Sequence, residues 1–151
     1  MNKYIGVKII LAIPMMLNTA EELLKRKIQA NNEDGYLVEY EDGYKSWSPK
    51  EVFEKAYRKT DGLTFGLAIE AMKKGEKVAR KGWNGKGMFI YYVPENFYPA
   101  NGNKLGTMNG IFENDLVPYG AYIAMKTAQN NVVPWLASQT DVLAEDWEIV
   151  E

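Results

Sequence analysis

The sequence predicts an α+β fold: a small, mainly antiparallel sheet packed with helices, preceded by a smaller strand–helix–hairpin–helix unit. Three observations lead there. Two aromatic-rich runs, Tyr36–Tyr40 and Tyr44–Trp47, flank Glu41-Asp42-Gly43, a hairpin signal. Phe65, Leu67, Ala68, Ala71 and Met72 recur at helical spacing. Short strand-like runs near residues 88–93, 122–127 and 147–150 are separated by stretches rich in turn formers.

The first unit reads from Lys3 to Ile13, an apolar, β-branched run predicted as a strand that Pro14 ends. An amphipathic helix is expected over Thr19–Ala30, capped by Asn18 or Thr19, with Glu21 and Glu22 in its first turn and Lys25, Arg26 and Lys27 near its end. The hairpin follows. Ser48-Pro49-Lys50-Glu51 then predicts a helix to about Arg58, with Ser48 as N-cap and Glu51 closing a capping box. Tyr36, Tyr40, Tyr44 and Trp47 suit a small core better than a recognition surface. Thr60-Asp61-Gly62 reads as a linker, so the units are placed at residues 1–62 and 63–151.

In the second unit Thr64 caps the predicted helix and Lys73-Lys74-Gly75 ends it. Strands are expected at Glu76–Arg80, Met88–Val93 and Tyr122–Thr127. Gln129-Asn130-Asn131 turns the chain into Val132-Val133. Ser138 starts a short helix, and Trp147–Val150 closes the sheet. Pro94–Gly120, rich in Asn, Gly, Pro and Tyr, is predicted as a long irregular loop. The aromatics crowding this unit are expected mostly in the core, with one or two lining a pocket.

Composition narrows the chemistry. The 151 residues include 18 basic and 20 acidic side chains, a net charge of −2 with no basic surplus for non-specific nucleic-acid binding. There is no cysteine and no histidine. That removes disulfides, thiolate zinc sites and the commonest general base. No catalytic residue, metal site or cofactor is expected. The apolar run Ile9–Leu17 is interrupted by Pro14 and too short to span a bilayer, and it lacks the features of a secretory signal. The expectation is a soluble cytoplasmic protein.

Two segments carry the functional signal. Gly82-Trp83-Asn84-Gly85-Lys86-Gly87 has three glycines in six residues, which let a backbone approach a ligand and expose amides to phosphate. Lys86, with Arg80 and Lys81, supplies charge, and Trp83 can stack on a base. The alternative is a tight strand-to-strand turn with Trp83 plugging the core. In Ser138-Gln139-Thr140-Asp141, Ser138 and Asp141 satisfy a capping box by themselves. Gln139 and Thr140 stay free to read a ribose or a base edge. Asp141, Glu145 and Asp146 suit a cap and a solvated face better than an acid/base pair.

Residues 63–151 resemble the Thoeris anti-defense 2 family of phage and prophage proteins. The resemblance rests on Leu63-Thr64-Phe65-Gly66, on Lys77-Val78-Ala79-Arg80-Lys81-Gly82-Trp83-Asn84-Gly85-Lys86-Gly87-Met88-Phe89, on Tyr122–Ala128, and on the block from Val133 to Trp147. It implies a non-enzymatic sponge that binds cyclic ADP-ribose-type signals (gcADPR-type), and in some members cyclic dinucleotides, without cleaving them. It also implies homo-oligomers, tetramers among them, in the host bacterial cytoplasm, with pockets where protomers meet and no nucleic-acid or membrane partner. On these motifs the ligand-binding residues are Arg80, Trp83, Asn84, Gly85, Lys86, Gly87, Phe89, Ser138, Gln139, Thr140 and Asp141. Trp83 stacks on adenine, the glycine amides and Asn84 meet phosphate or ribose, Lys86 or Arg80 balances phosphate, and residues 138–141 read hydroxyls or a base edge. Trp83→Ala is expected to weaken binding at least tenfold with the fold intact. Residues 1–62 resemble a small domain of phage-encoded proteins through Gly35–Tyr40 and Ser46–Glu54. The competing readings are a hydrolase of the same signal using Asp141 and Glu145 or a carboxylate-bound metal, and a structural or regulatory interaction protein.

Overall fold

A computed structural model describes residues 1–3, 5–100 and 106–151. The chain forms two compact units, Met1–Lys59 and Thr60–Glu151.

The first unit contains β1 (Leu11–Pro14), α1 (Leu17–Leu24), β2 (Gly35–Glu39), β3 (Lys45–Pro49) and α2 (Lys50–Ala56), with an antiparallel sheet in the order β1-β2-β3. The predicted hairpin forms in register, Glu39 opposite Lys45 and Gly35 opposite Pro49. The predicted first strand is much shorter than its β-branched run. Leu11 pairs with Glu39, and beyond Glu39 the partner strand turns back, Tyr40 N donating to Tyr44 O at 2.9 Å. Among the described residues, none before Leu11 pairs in this sheet.

Both helix starts in this unit differ from expectation, for one reason. Three consecutive carbonyls hold backbone amides around these two starts: Glu33 O accepts from Leu17 N (2.8 Å), Asp34 O from Lys50 N (3.0 Å) and Gly35 O from Met15 N (2.8 Å). So α1 begins at Leu17 with no side-chain cap, and α2 follows Pro49 with no capping box. Ser48 instead lies in β3 opposite Tyr36. At its other end α1 stops at Lys25, which adopts a left-handed conformation (φ 52°). The Glu21 carboxylate, expected to serve the helix start, accepts from Lys27 Nζ and Ile28 N, both at 2.8 Å, and folds the chain back. That holds Glu21 below its ordinary pKa, through the Lys27 bond first and the Ile28 amide second.

Trp47 is buried and donates from Nε1 to Met15 O at 2.8 Å. Its ring lies against Gly35, where a Cβ would stand 2.2 Å from Trp47 Cζ2 and 2.4 Å from Ser48 O. Gly35→Ala is expected to destabilise this unit by about 1–3 kcal/mol through overpacking against rigid neighbours, read as a lower thermal midpoint. Tyr36 stacks on Phe53 (4.2 Å) and Phe53 on Tyr57 (5.0 Å), so these aromatics pack α2 onto the sheet.

The second unit contains α3 (Phe65–Lys73), β4 (Lys77–Arg80), β5 (Phe89–Val93), β6 (Asn96–Pro99), β7 (Leu116–Tyr119), β8 (Tyr122–Lys126), β9 (Val132–Pro134), α4 (Gln139–Val142) and β10 (Trp147–Val150). Five strands form an antiparallel sheet in the order β10-β4-β5-β8-β9. Thr64 caps α3 as predicted, its hydroxyl accepting from Leu67 N. The helix lays Phe65, Ala68, Ala71 and Met72 on the sheet face that carries Val78, Ile90 and Trp147. Alternation sends Lys77, Phe89, Tyr91 and Lys126 to the other face.

Two expectations need correction here. Thr60, read as linker, is fastened to the sheet: Ile149 N donates to Thr60 O, and Leu63 forms a bridge with Trp147. The stretch Pro94–Gly120, read as irregular, contains the antiparallel ribbon β6–β7, Phe97 opposite Pro118 and Tyr98 opposite Val117. Proline and asparagine inside these short strands hid them; both strands are edges, where a missing N–H costs no ladder bond. Residues 101–105 of that stretch lie outside the described residues.

Candidate functional site

The last residue of β4 is the hub of an ionic cluster. Arg80 Nε donates to Asp146 Oδ1 at 2.8 Å, Nη2 to Asp146 Oδ2 at 3.4 Å and Nη1 to Asp141 Oδ1 at 2.9 Å. The second Asp141 oxygen accepts from Ser138 N (3.0 Å) and Ser138 Oγ (2.5 Å), while Ser138 Oγ accepts from Asp141 N, completing the predicted capping box of α4. Thr140 Oγ1 lies 2.8 Å from Ser138 Oγ. Trp147 Nε1 donates to Asp141 O at 3.0 Å.

The electrostatics follow from this wiring. Asp146 is held below the ordinary carboxylate value, foremost by the Arg80 hydrogen bond. Burial pulls Asp141 upward, but the hydrogen bonds from Ser138 and Arg80 outweigh it and the net shift is downward. Arg80 is raised by the same bonds, Asp146 first. A cation facing two carboxylates is neutralised from within. Arg80 thus ties β4 to α4 and β10, and the charge it could offer a phosphate is already countered.

Carboxylates depressed in the folded state add stability above their unfolded pKa, near ~3.9, and lose it as pH falls through the folded values. Arg80→Met is expected to cost about 2 kcal/mol at pH 7, from charge-assisted bonds that are mostly shielded from water. Its deficit relative to the parent should shrink below about pH 4. Thermal midpoints of both proteins from pH 3 to 7 measure it; a deficit unchanged at pH 3 would contradict the assignment.

The glycine loop joins β4 to β5. Trp83 is half-buried, edge-on to Trp147 (5.5 Å, 79°) and Trp135 (6.1 Å, 62°), with Phe65 tilted against both partners. It therefore plugs the end of the core and keeps part of its ring outward. Truncating it to alanine would open that cluster, so a fold left intact by Trp83→Ala is no longer the expectation; Trp83→Phe preserves the plug and is the informative variant. Asn84 and Lys86 are exposed. Gly85 lies close against Met88. Gly87 has φ +72°, a conformation that costs other residues about 1–2 kcal/mol.

Beyond Gly87 the chain enters the open face of the sheet. Lys126, opposite Phe89 in the β5–β8 ladder, donates from Nζ to Gly87 O at 3.1 Å. Lys77 Nζ stands 5.6 Å from the Phe89 ring centroid, and Phe89 lies 6.1 Å from Tyr91. Lys77, Phe89, Tyr91, Tyr92, Lys126 and Val132, with Met72, Gly75 and the carboxylate Glu76 at the end of α3, line a groove of about 330 Å³. The structure thus divides the sequence-derived residues. Arg80, Trp83, Ser138, Thr140 and Asp141 gather at the core-face end of β4. Gly87 and Phe89 join the groove, and Gln139 is exposed on α4. Lys77 and Lys126 escaped the sequence reading. Their signal was the strand alternation that also places Phe89 and Tyr91 together, but the register that brings Lys126 opposite Phe89 is a tertiary fact.

Among the described residues, no group of three or more carboxylates is placed to hold a metal ion. No helix among them is long and apolar enough to cross a membrane.

Comparison with known proteins covers this same unit. The family model described as a Thoeris anti-defense 2-like domain matches residues 63–150. A Bacillus phage SP01 protein, "Thoeris anti-defense 2", is 44% identical over 88 residues, 58% of this chain and 94% of that protein. The matched span holds α3, the five-stranded sheet, the glycine loop and the groove, and leaves the first unit outside. On that span the chain belongs to the Thoeris anti-defense 2-like family.

Proposed function

We propose that this protein sequesters a cyclic ADP-ribose-type immune signal in the host bacterial cytoplasm without cleaving it. Family membership supports the broader anti-defense role. The observation that carries the finer reading is the groove: two ammonium groups beside an aromatic ledge, next to a glycine loop. That pairing suits a molecule with both phosphates and a flat base, since stacking contributes ~1–3 kcal/mol per base. Lys77, Lys126 and Lys86 would balance phosphate. Gly85 and Gly87 amides with Asn84 would meet phosphate or ribose, Phe89 would receive the ring in the groove, and the outward part of Trp83 would stack on a ring only at the core-face end of β4. Gln139 and Thr140 would read a hydroxyl or base edge. Arg80, Ser138 and Asp141 would support these groups by holding α4 in place.

The ionic cluster also argues against the hydrolase reading. Asp141, with its pKa depressed and its oxygens occupied by Arg80 and Ser138, is a poor proton acceptor. The groove is open beyond Met72 and Glu76 at the end of α3, and a homo-oligomer, a tetramer in the family pattern, would enclose the ligand there between protomers. A slow off-rate then follows from enclosure.

The test is retention. The purified protein is mixed with cyclic ADP-ribose isomers and cyclic dinucleotides, freed of unbound ligand, denatured, and the released molecule identified. Recovery of an intact nucleotide is the expected result. A cleaved product would replace the sponge with a hydrolase, and no retained nucleotide would leave a protein-interaction role.

A further inference from the structure

A second cavity lies at the opposite end of the central strand. Phe89 opens β5 beside the groove, and Val93 ends it about 13 Å away at ~3.3 Å per residue. There the β6–β7 ribbon meets the ends of β5 and β8 around a cavity of about 430 Å³. Its wall includes Tyr98, Tyr119 and Tyr122, with Met108 and the nearly buried Ala100 and Val117. Tyr98 and Tyr119 meet edge-to-face at 5.7 Å. Among the described residues, none that lines it is charged.

This lining differs in kind from the lysine-flanked groove. An uncharged, aromatic cavity gains from a flat ring laid against tyrosine faces and from hydrogen bonds between phenol hydroxyls and the ring edge. The described lining offers no charge to offset the cost of desolvating a phosphate. Its volume falls within the ~300–1,000 Å³ of ordinary small-molecule sites.

We propose that this cavity is a distinct binding site for an uncharged planar ring of the nucleobase type, a neutral nucleoside rather than a nucleotide. The proposal does not depend on what the groove holds, and nothing in the anti-defense reading requires it.

Methionines placed by the fold serve as reporters. Met108 lines the cavity, Met88 packs against the glycine loop, and Met72 lies in the core. The full chain, labelled with 13C-methyl methionine and assigned by single Met→Leu variants, is titrated with adenosine. The expected result is a saturable shift of the Met108 methyl with Met88 and Met72 unmoved. Affinity should change less than twofold between low and high salt, because the ligand carries no charge. Tyr119→Leu and, separately, Tyr98→Leu should weaken binding at least tenfold. Both side chains are about half exposed, and an unmoved Met72 signal shows that the core survives the substitution. A shift at Met88 instead of Met108 would place adenosine at the glycine loop and overturn the proposal. So would the absence of any saturable Met108 shift, or equal affinity in both folded tyrosine variants.

Discussion

Trp147→Ala is expected to unfold the second unit at physiological temperature. Trp147 is completely buried and touches every part of the core that matters for the site. It packs against Phe65 from α3, Trp83 from the glycine loop and Trp135 after β9, at 5.3, 5.5 and 6.0 Å. Its indole N–H also satisfies Asp141 O, and its backbone bridges Leu63. Removing a buried tryptophan costs about 3–5 kcal/mol through lost transfer energy and the cavity left behind. That is comparable with the whole ~5–15 kcal/mol stability of a domain. The thermal midpoint of this unit should fall by roughly 15–30 °C, at about 4–8 °C per kcal/mol. Calorimetry checks it, and a fall of only a few degrees would mean that the tryptophan cluster is not the keystone of this core.

The second large effect falls on binding. Replacing Lys77 and Lys126 together with alanine should reduce affinity for a cyclic ADP-ribose-type ligand roughly 100-fold. Hydrogen bonds to charged groups contribute about 1.5–3 kcal/mol each, and the open groove argues for the lower part of that range. Neither ammonium belongs to the core, so the melting curve should stay within a few degrees of the parent. Titration calorimetry at low and moderate salt separates the two readings. The parent should weaken as salt rises and the double variant should respond less, because its two largest charge contacts are gone. Equal affinity of parent and double variant would remove the groove from the binding site and return attention to Lys86 and the glycine loop.

Much of this protein was legible one residue at a time. Thr64 with its apolar 3.6-residue stripe predicts α3, and Ser138 with Asp141 predicts the cap of α4, because both signals are satisfied within one turn of chain. The hairpin around Gly43 and the strands β4, β5, β8 and β10 are likewise local patterns that tertiary packing only had to accept. The family, too, is carried by contiguous blocks from Leu63 onward.

Where the reading failed, a distant group had replaced a local one. Ser48 is an attractive cap by spacing, but Asp34 O takes the Lys50 amide and leaves Ser48 to the sheet. Lys3–Ile13 has the composition of a long strand, yet a strand is only as long as its partner, and β2 turns after Glu39. The ribbon β6–β7 pairs segments seventeen or more residues apart, beyond any periodic signal within either strand.

The site divides the same way. Sequence alone determined the chemistry on offer: no thiol, no imidazole, a glycine-rich turn with a tryptophan, and a hydroxyl-rich helix start. Only the tertiary structure decided how those groups are used. It set Arg80 between Asp141 and Asp146, where its charge is neutralised, and lodged one side of Trp83 against Trp135 and Trp147. It also brought Lys77 and Lys126 to Phe89 through strand register. The physical reason is common to all three. A residue's type fixes what it can bond to, while its actual partner is whichever group the fold delivers within a few ångströms, and those groups come from positions 12 to 66 residues away.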